Sequence, residues 1–528
     1  MEHVPITSSP SDGATDGAAH GAPSAEDVAA AIAVIQQASR TLPPEDPSVV
    51  ELQRATAGLY KSVKKARRDA TRAAQLAADT AVIEATATGA PNRVDDETQG
   101  LEITPAGPVT GRFAGQLQKS QACYVCKQHY VDVDWFYHQL CPECAAENHA
   151  KRDARTDLTG RKALLTGGRA KIGMYIALRL LRDGADLTIT TRFPNDAVRR
   201  FAAMEDAGDW IDRLTVVGID LRDPAQVAAL AEDVAQQGPL DILVNNAAQT
   251  VRRSPGAYAP LANAESAPLP EGRLPRLVTY GRPHDAHPAA LEATVAAAHG
   301  PAADVAAAAA ATADGAELVH GESTVVQASM TAPGFLTELA LTAGSASMDR
   351  IERGTAIDAA GLVPDLVSVN SWTQNIEDVD PLEMLEVQLC NSTAPFILIS
   401  RLRANLAASP AKRTYIVNVS AMEGQFNRGY KGPGHPHTNM AKAAMNMLTR
   451  TSAREMFETD GILMTSVDTG WITDERPHTT KVRLAEEGFH APLDLVDGAA
   501  RVYDPIVRGE AGEDVFGVFL KDYRPSPW

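Results

Sequence analysis

From residue 158 onward, short apolar runs recur between amphipathic stretches. KALLTG, DLTITTR, RLTVVGID, LDILVNN, RTYIVNVS and GILMTSVD each hold several aliphatic or β-branched residues in near succession. Runs of this length, bounded by Gly, Asp and Asn, predict strands covered on both faces. Between them, segments such as 172–183 and 440–457 carry apolar residues at helical spacing. Strand alternating with helix predicts an α/β fold with a doubly wound parallel sheet.

The chain before residue 158 has a different pattern. Residues 1–23 are mainly Gly, Ala, Ser and Pro, a composition expected to be disordered. A helical region is expected over 24–86. Ser24 with Asp27 three positions on forms a capping box, Val28, Ile32 and Ile35 share one face, and Pro43-Pro44 stop the helix. A second helix is expected over 47–85. Leu52, Leu59, Val63, Ala66, Ala70, Ala73 and Ala77 form a stripe near the 3.5-residue repeat, which suits either packing within the chain or pairing with a second copy. Residues 87–118 read as a polar linker. Residues 254–350, rich in Ala, Pro and Gly, read as an insertion into the α/β region, either a surface excursion or a lid.

Charge narrows the function. The net charge of −18 argues against nucleic acid or an anionic membrane as partner. The first residues lack a basic segment followed by an apolar core, and no run reaches the ~18 apolar residues of a membrane span. The expected location is cytoplasmic, where thiols stay reduced and close cysteine pairs point to metal. Within 119–150, Cys123 and Cys126 form one CxxC pair and Cys141 and Cys144 another. Four thiolates at this spacing predict a closed structural zinc site with no open position for catalysis. The nearby Trp135, Phe136 and Tyr137 are expected to form the small core of that module. Cys390, in an apolar helix, is expected to be inert.

Strand KALL leads through TGGRAKIG into a helix. Gly167, Gly168 and Gly173 allow the backbone and a helix N-terminus to approach a pyrophosphate. With Asp220-Leu221 after the third strand and NNAA at 245–248, the segment 157–528 resembles the short-chain dehydrogenase/reductase family, apart from the insertion. The resemblance implies a Rossmann domain and an NAD(P)-dependent oxidoreductase acting on a carbonyl or alcohol substrate. It also implies cofactor contacts from Gly167, Gly168, Arg169, Lys171, Ile172, Gly173, Asp220, Leu221, Asn246, Ala247 and Thr473, and a homo-oligomer. Lys171 and Ala248 stand where the family has glycine. The second strand ends in Thr191-Arg192 rather than in an acidic residue, which favours NADP(H) over NAD(H), with Arg192 facing a 2′-phosphate and Arg169 adding charge.

The catalytic pattern is only partly kept. Asn391 matches the family's relay Asn and Lys442 its Lys. Four residues before Lys442 stands Thr438 rather than Tyr. Ala421 occupies the usual Ser position, with Ser420 beside it. An aliphatic hydroxyl is too weak an acid to replace a tuned phenol. A substitute proton donor is therefore expected among His437, His435, Tyr430 and Glu423. The alternatives are a catalytically degenerate NADP(H)-binding sensor, or a scaffold acting on a protein partner through the zinc module or the N-terminal helices.

Overall fold

A computed structural model of the chain describes residues 22–91, 93, 112–280, 350, 352–353, 356–473 and 475–528. Most of the expected disorder at 1–23, much of the linker and residues 281–349 of the insertion lie outside these. The chain divides into two compact units, Met1–Ala77 and Ala78–Trp528.

The first unit holds α1 (Ala25–Thr41) and most of α2 (Pro47–Glu84). Ser24 caps α1 through a reciprocal capping box with Asp27, which satisfies two of the otherwise unpaired N–H groups at the helix start. Leu59, Val63 and Leu76 on α2 are exposed, and so are the alanines of the predicted stripe.

After the end of α2, the second unit continues with β1 (Phe113–Ala122) and β2 (His129–Asp134), an antiparallel pair, followed by α3 (Pro142–Arg152). The sequence reading assigned 113–118 to a linker. The strand FAGQLQKSQA is mostly polar and its register shifts twice, so it has no clean alternation to detect.

The main sheet comprises β3 (Lys162–Leu165), β4 (Asp186–Thr191), β5 (Leu214–Gly218), β6 (Ile242–Asn245), β7 (Arg276–Thr279), β8 (Thr414–Ser420), β9 (Ile462–Asp468), β10 (Phe519–Lys521) and β11 (Arg524–Ser526). Their order is β11-β10-β9-β8-β6-β3-β4-β5-β7, parallel except for β11. Every residue of β8 and β9 is buried, as expected of strands covered on both faces. The helices that cover the sheet include α4 (Lys171–Arg182), α5 (Pro194–Ala202), α6 (Pro224–Gln236), α9 (Ala394–Ala407), α10 (Pro436–Asp460) and α12 (Leu495–Glu510). Also described are α7 (Pro255–Glu265), α8 (Pro381–Gln388) and α11 (His478–Glu486).

The described first part of the expected insertion is structured. Residues 255–265 form α7 and 276–279 form β7, which adds to the sheet beside β5 with Thr215 paired to Arg276. A four-residue edge strand leaves little periodicity to read. A π-helical turn, Leu389–Thr393, separates α8 from α9. Pro395 cannot donate to the Asn391 carbonyl four residues earlier, and its ring crowds that carbonyl, so the regular ladder cannot continue there.

Candidate active site

Strand order reverses between β3 and β6, and the sheet opens beyond their C-terminal ends into a cleft of about 370 Å³. Its floor is the loop between β3 and α4. Gly167 has φ +71°. A Cβ on Gly173 would lie 1.9 Å from the Gly167 carbonyl oxygen, and one on Gly168 would lie 2.6 Å from Ile189. The glycines thus let loop, helix and strand touch at backbone distance. Asn246 donates from Nδ2 to the Thr166 and Gly167 carbonyls, each at 3.0 Å, and locks the loop to the end of β6. Ile172, Leu221 and Ala247 line the cleft wall. Lys171, in place of a glycine, has φ +51°, and its ammonium lies 3.9 Å from Glu475.

The cleft's cations differ in their partners. Arg169 lines the cleft, but its guanidinium pairs with Asp196 and stacks on Phe193. The carboxylate of Asp196, which Arg200 shares at 2.7 Å, turns this guanidinium into the wall rather than leaving it unpaired toward a phosphate. Asp220 is bound by Arg222, which also reaches Glu386 at 2.9 Å. Arg253 lies 3.5 Å from Asp358. Arg192 instead donates to the Tyr258 hydroxyl at 3.3 Å and stacks over that ring at 5.0 Å. Among the described residues it forms no ion pair with a carboxylate. Tyr258, Ala360 and Leu362 line the same end of the cleft, and sequence reading did not identify them.

Toward α10 the site becomes a buried polar cluster. Asn391, in the π-helical turn, clamps the Gln249 backbone, accepting from its N–H and donating to its carbonyl, both at 2.8 Å. Lys442 donates to the Val419 carbonyl at 2.8 Å, and burial brings its ammonium down to about 8. Ser420 Oγ, Thr438 Oγ1 and both ring nitrogens of His437 are buried without a hydrogen-bond partner among the described residues. The His437 ring lies near the backbone of Thr250, a cleft residue, and burial holds it below its ordinary value. It is therefore neutral at pH 7. His435 stacks on Trp372 and bonds its carbonyl, while Tyr430 is 78% exposed, outside the cluster. Thr473 lines the cleft.

Asp468 was missed in the sequence. It ends β9 directly opposite Ser420, accepts from Gly470 N–H at 3.1 Å, and is pushed up to about 6 by burial. In sequence it is only the last polar residue of a strand; its burial arises from the neighbouring elements. Cys390 also lines the cleft, and burial pushes its thiol up to about 11, consistent with an unreactive side chain.

The four sulfurs of Cys123, Cys126, Cys141 and Cys144 lie within 4.8 Å of one another, with Cys126 and Cys141 3.6 Å apart. Ligands at ~2.3 Å on a tetrahedral zinc would stand roughly 3.8 Å apart. The Cys141 N–H donates to Cys123 Sγ at 3.3 Å, so the backbone also suits a thiolate there. His129 contacts Ser120 and His138 contacts Thr88, so neither joins the sulfur group. The aromatic residues form more than a local core. Tyr137 donates to Asp497 at 2.6 Å, and Arg152, stacked on Phe136, reaches Asp494 at 2.6 Å. Both carboxylates belong to the capping box of α12, so the cysteine module is fastened to the main sheet's helical layer.

Residues 161–263 match the short chain dehydrogenase family. An uncharacterized protein of Acanthamoeba polyphaga mimivirus is 28% identical over 402 residues, covering 73% of this chain and 71% of that protein. A probable oxidoreductase of Streptomyces antibioticus is 45% identical over 94 residues, 17% of this chain and 30% of that one. Ketoacyl reductase HetN of Nostoc is 32% identical over 113 residues, 21% of this chain and 37% of its own length. The chain thus spans about a third of the length of these two named enzymes. A short chain dehydrogenase from Burkholderia cenocepacia, solved in complex with NADP, aligns with a TM-score of 0.39 at 18% identity, covering 69% of this chain and 97% of that one. Among the described residues, no helix is long and apolar enough to cross a membrane.

Proposed function

We propose that the chain, whose residues 161–263 match the short chain dehydrogenase family, is an NADP(H)-dependent oxidoreductase acting on a carbonyl/alcohol pair. The observation that carries the reading is the glycine cradle at the switch point of the sheet, where a Cβ on Gly173 would overlap the Gly167 carbonyl. Such a loop at the start of α4 suits a pyrophosphate held by backbone N–H groups. NADP(H), when bound, supplies or accepts the hydride. Arg192, without a carboxylate partner among the described residues, fits a 2′-phosphate.

We assign proton exchange with the substrate oxygen to His437, since Thr438 cannot supply it. The ring is buried beside the cleft residue Thr250 and is neutral at pH 7, so it suits taking the hydroxyl proton of an alcohol as hydride leaves the carbon that bears that hydroxyl. Lys442, still largely cationic at pH 7, favours the oxyanion that develops nearby. The cysteine group would hold a structural zinc, closed to substrate by its four protein ligands.

The test is a titration with NADPH and NADH followed by nicotinamide fluorescence. NADPH is expected to bind the more tightly. Arg192→Ala is expected to weaken NADPH by about 10- to 100-fold, the effect of losing roughly 1.4–2.7 kcal/mol, and to leave NADH nearly unchanged. Equal losses for both cofactors would reject Arg192 as the phosphate partner, and binding of neither would reject the enzyme reading. A panel of alcohols with NADP+ then tests the proton route. His437→Gln is expected to lose turnover at least about 100-fold while keeping its NADP+ affinity. Turnover unchanged in that variant would remove His437 from the mechanism. Binding without turnover on any alcohol or carbonyl would favour a nucleotide sensor, the reading that Thr438 in place of Tyr also allows.

A further inference from the structure

Besides its contacts to α12, the cysteine module reaches the segment that leads into the cleft through Tyr124. Tyr124 lies inside the first CxxC, one residue after Cys123 and two before Cys126. Its hydroxyl accepts a hydrogen bond from the Trp471 N–H at 3.0 Å. The turn that carries it is held tightly. Cys123 N–H donates to Gln128 O at 2.9 Å, Tyr124 N–H to Gln139 O at 2.8 Å, and Lys127 has φ +64°. A turn of this shape is what four converging sulfurs enclose, so metal loading defines where the Tyr124 hydroxyl stands.

Trp471 belongs to the segment that leaves β9 and passes along the cleft. One residue on, Ile472 fits against Gly498 of α12, where a Cβ would lie 2.9 Å from its Cδ1 and 3.5 Å from Ile172 in the first turn of α4. Two residues on, Thr473 lines the cleft itself, followed by Glu475, 3.9 Å from Lys171. The start of the segment is also braced. Gly470 has φ +78°, and a Cβ there would lie 2.6 Å from Leu493. The Leu493 carbonyl in turn accepts from Arg93 at 2.6 Å. The Trp471 N–H lies beyond the end of the β9 ladder, so no neighbouring strand can pair it.

We infer that Tyr124 is a positioning residue that holds residues 470–473 against the cleft, so that metal binding at the four cysteines and dinucleotide binding in the cleft strengthen each other. The inference rests on the cofactor reading of the cleft. Coupling of two sites is reciprocal: if metal orders the segment that the dinucleotide needs, the dinucleotide retains the metal by the same factor.

The test uses the full chain loaded with one equivalent of zinc. Zinc transfer to the chelator 4-(2-pyridylazo)resorcinol is followed by absorbance, with and without saturating NADP+, and NADPH affinity is followed by fluorescence. Zinc affinity is expected to rise about three- to tenfold with NADP+, the size of effect one hydrogen bond supplies. Tyr124→Phe removes only the hydroxyl. It is expected to keep its zinc stoichiometry and near-UV circular dichroism, to bind NADPH about three- to tenfold more weakly, and to lose the effect of NADP+ on zinc. Wild-type protein that binds NADPH while its zinc affinity ignores NADP+ overturns the inference and leaves the cofactor reading intact, as does a Tyr124→Phe variant with unchanged coupling. Wild-type protein that binds no dinucleotide overturns both.

Discussion

Gly173→Val is expected to abolish dinucleotide binding while the fold survives. The position has no room for any side chain, since a Cβ would stand 1.9 Å from the Gly167 oxygen and 2.9 Å from Asn246 Nδ2. Both neighbours are fixed, one as backbone of the loop and the other by its bonds to Thr166 and Gly167. Relief therefore requires α4 to move away from the loop by more than an ångström. Overpacking of this kind costs about 1–3 kcal/mol in stability, and it displaces the N–H groups proposed to hold a pyrophosphate. NADPH affinity should fall by at least about 100-fold, equivalent to roughly 2.7 kcal/mol. Fluorescence titration measures the loss, and far-UV circular dichroism reports whether the sheet remains. An affinity within about threefold of wild type, with the fold intact, would mean that the dinucleotide does not use this loop.

Loss of the cysteine centre should have the largest effect on stability. In Cys126→Ser/Cys144→Ser, one ligand is removed from each CxxC, and two remaining thiolates cannot enclose a tetrahedral ion. The apparent folding free energy that zinc supplies to small finger peptides is about 10–16 kcal/mol at neutral pH, and only part of it applies where a larger body also holds the module. That body contributes the Tyr137–Asp497 and Arg152–Asp494 contacts, which themselves require the module to be folded. A loss of several kcal/mol, seen as a fall of roughly 10 °C in the unfolding midpoint, is the expected outcome. Metal analysis should fall from one zinc per chain to none. His129→Ala, on the exposed neighbour that contacts Ser120, should change neither. Full zinc content in the double variant would show that the four sulfurs are not the ligands.

Why the site was only partly legible follows from the range of the signals. The glycine loop is written locally, because the angles and close approaches it needs fall on Gly167 and Gly173 themselves. The cysteine group is local too, since each CxxC places two thiols on one turn. Arg169 shows the opposite. It sits two residues from Gly167, yet its guanidinium is held by Asp196, which belongs to α5 and is carried there by β4. Arg192 and Arg169 look alike in the sequence, and only their partners separate them. Asp468 has the same character: what shifts it is burial under elements that arrive from elsewhere in the chain.

The sequence by itself determined the doubly wound α/β class, the six central strands, the two N-terminal helices, the glycine loop and the pairing of cysteines. All of these depend on period, spacing or backbone freedom within a few residues. Tertiary structure alone decided that polar β1 is a strand, that 276–279 joins the sheet edge, and that a π-helical turn carries Asn391 to the Gln249 backbone. It also decided that Tyr124 meets Trp471, 347 residues away. Such contacts leave no local pattern, because a polar side chain's role is set by the groups that folding brings to it.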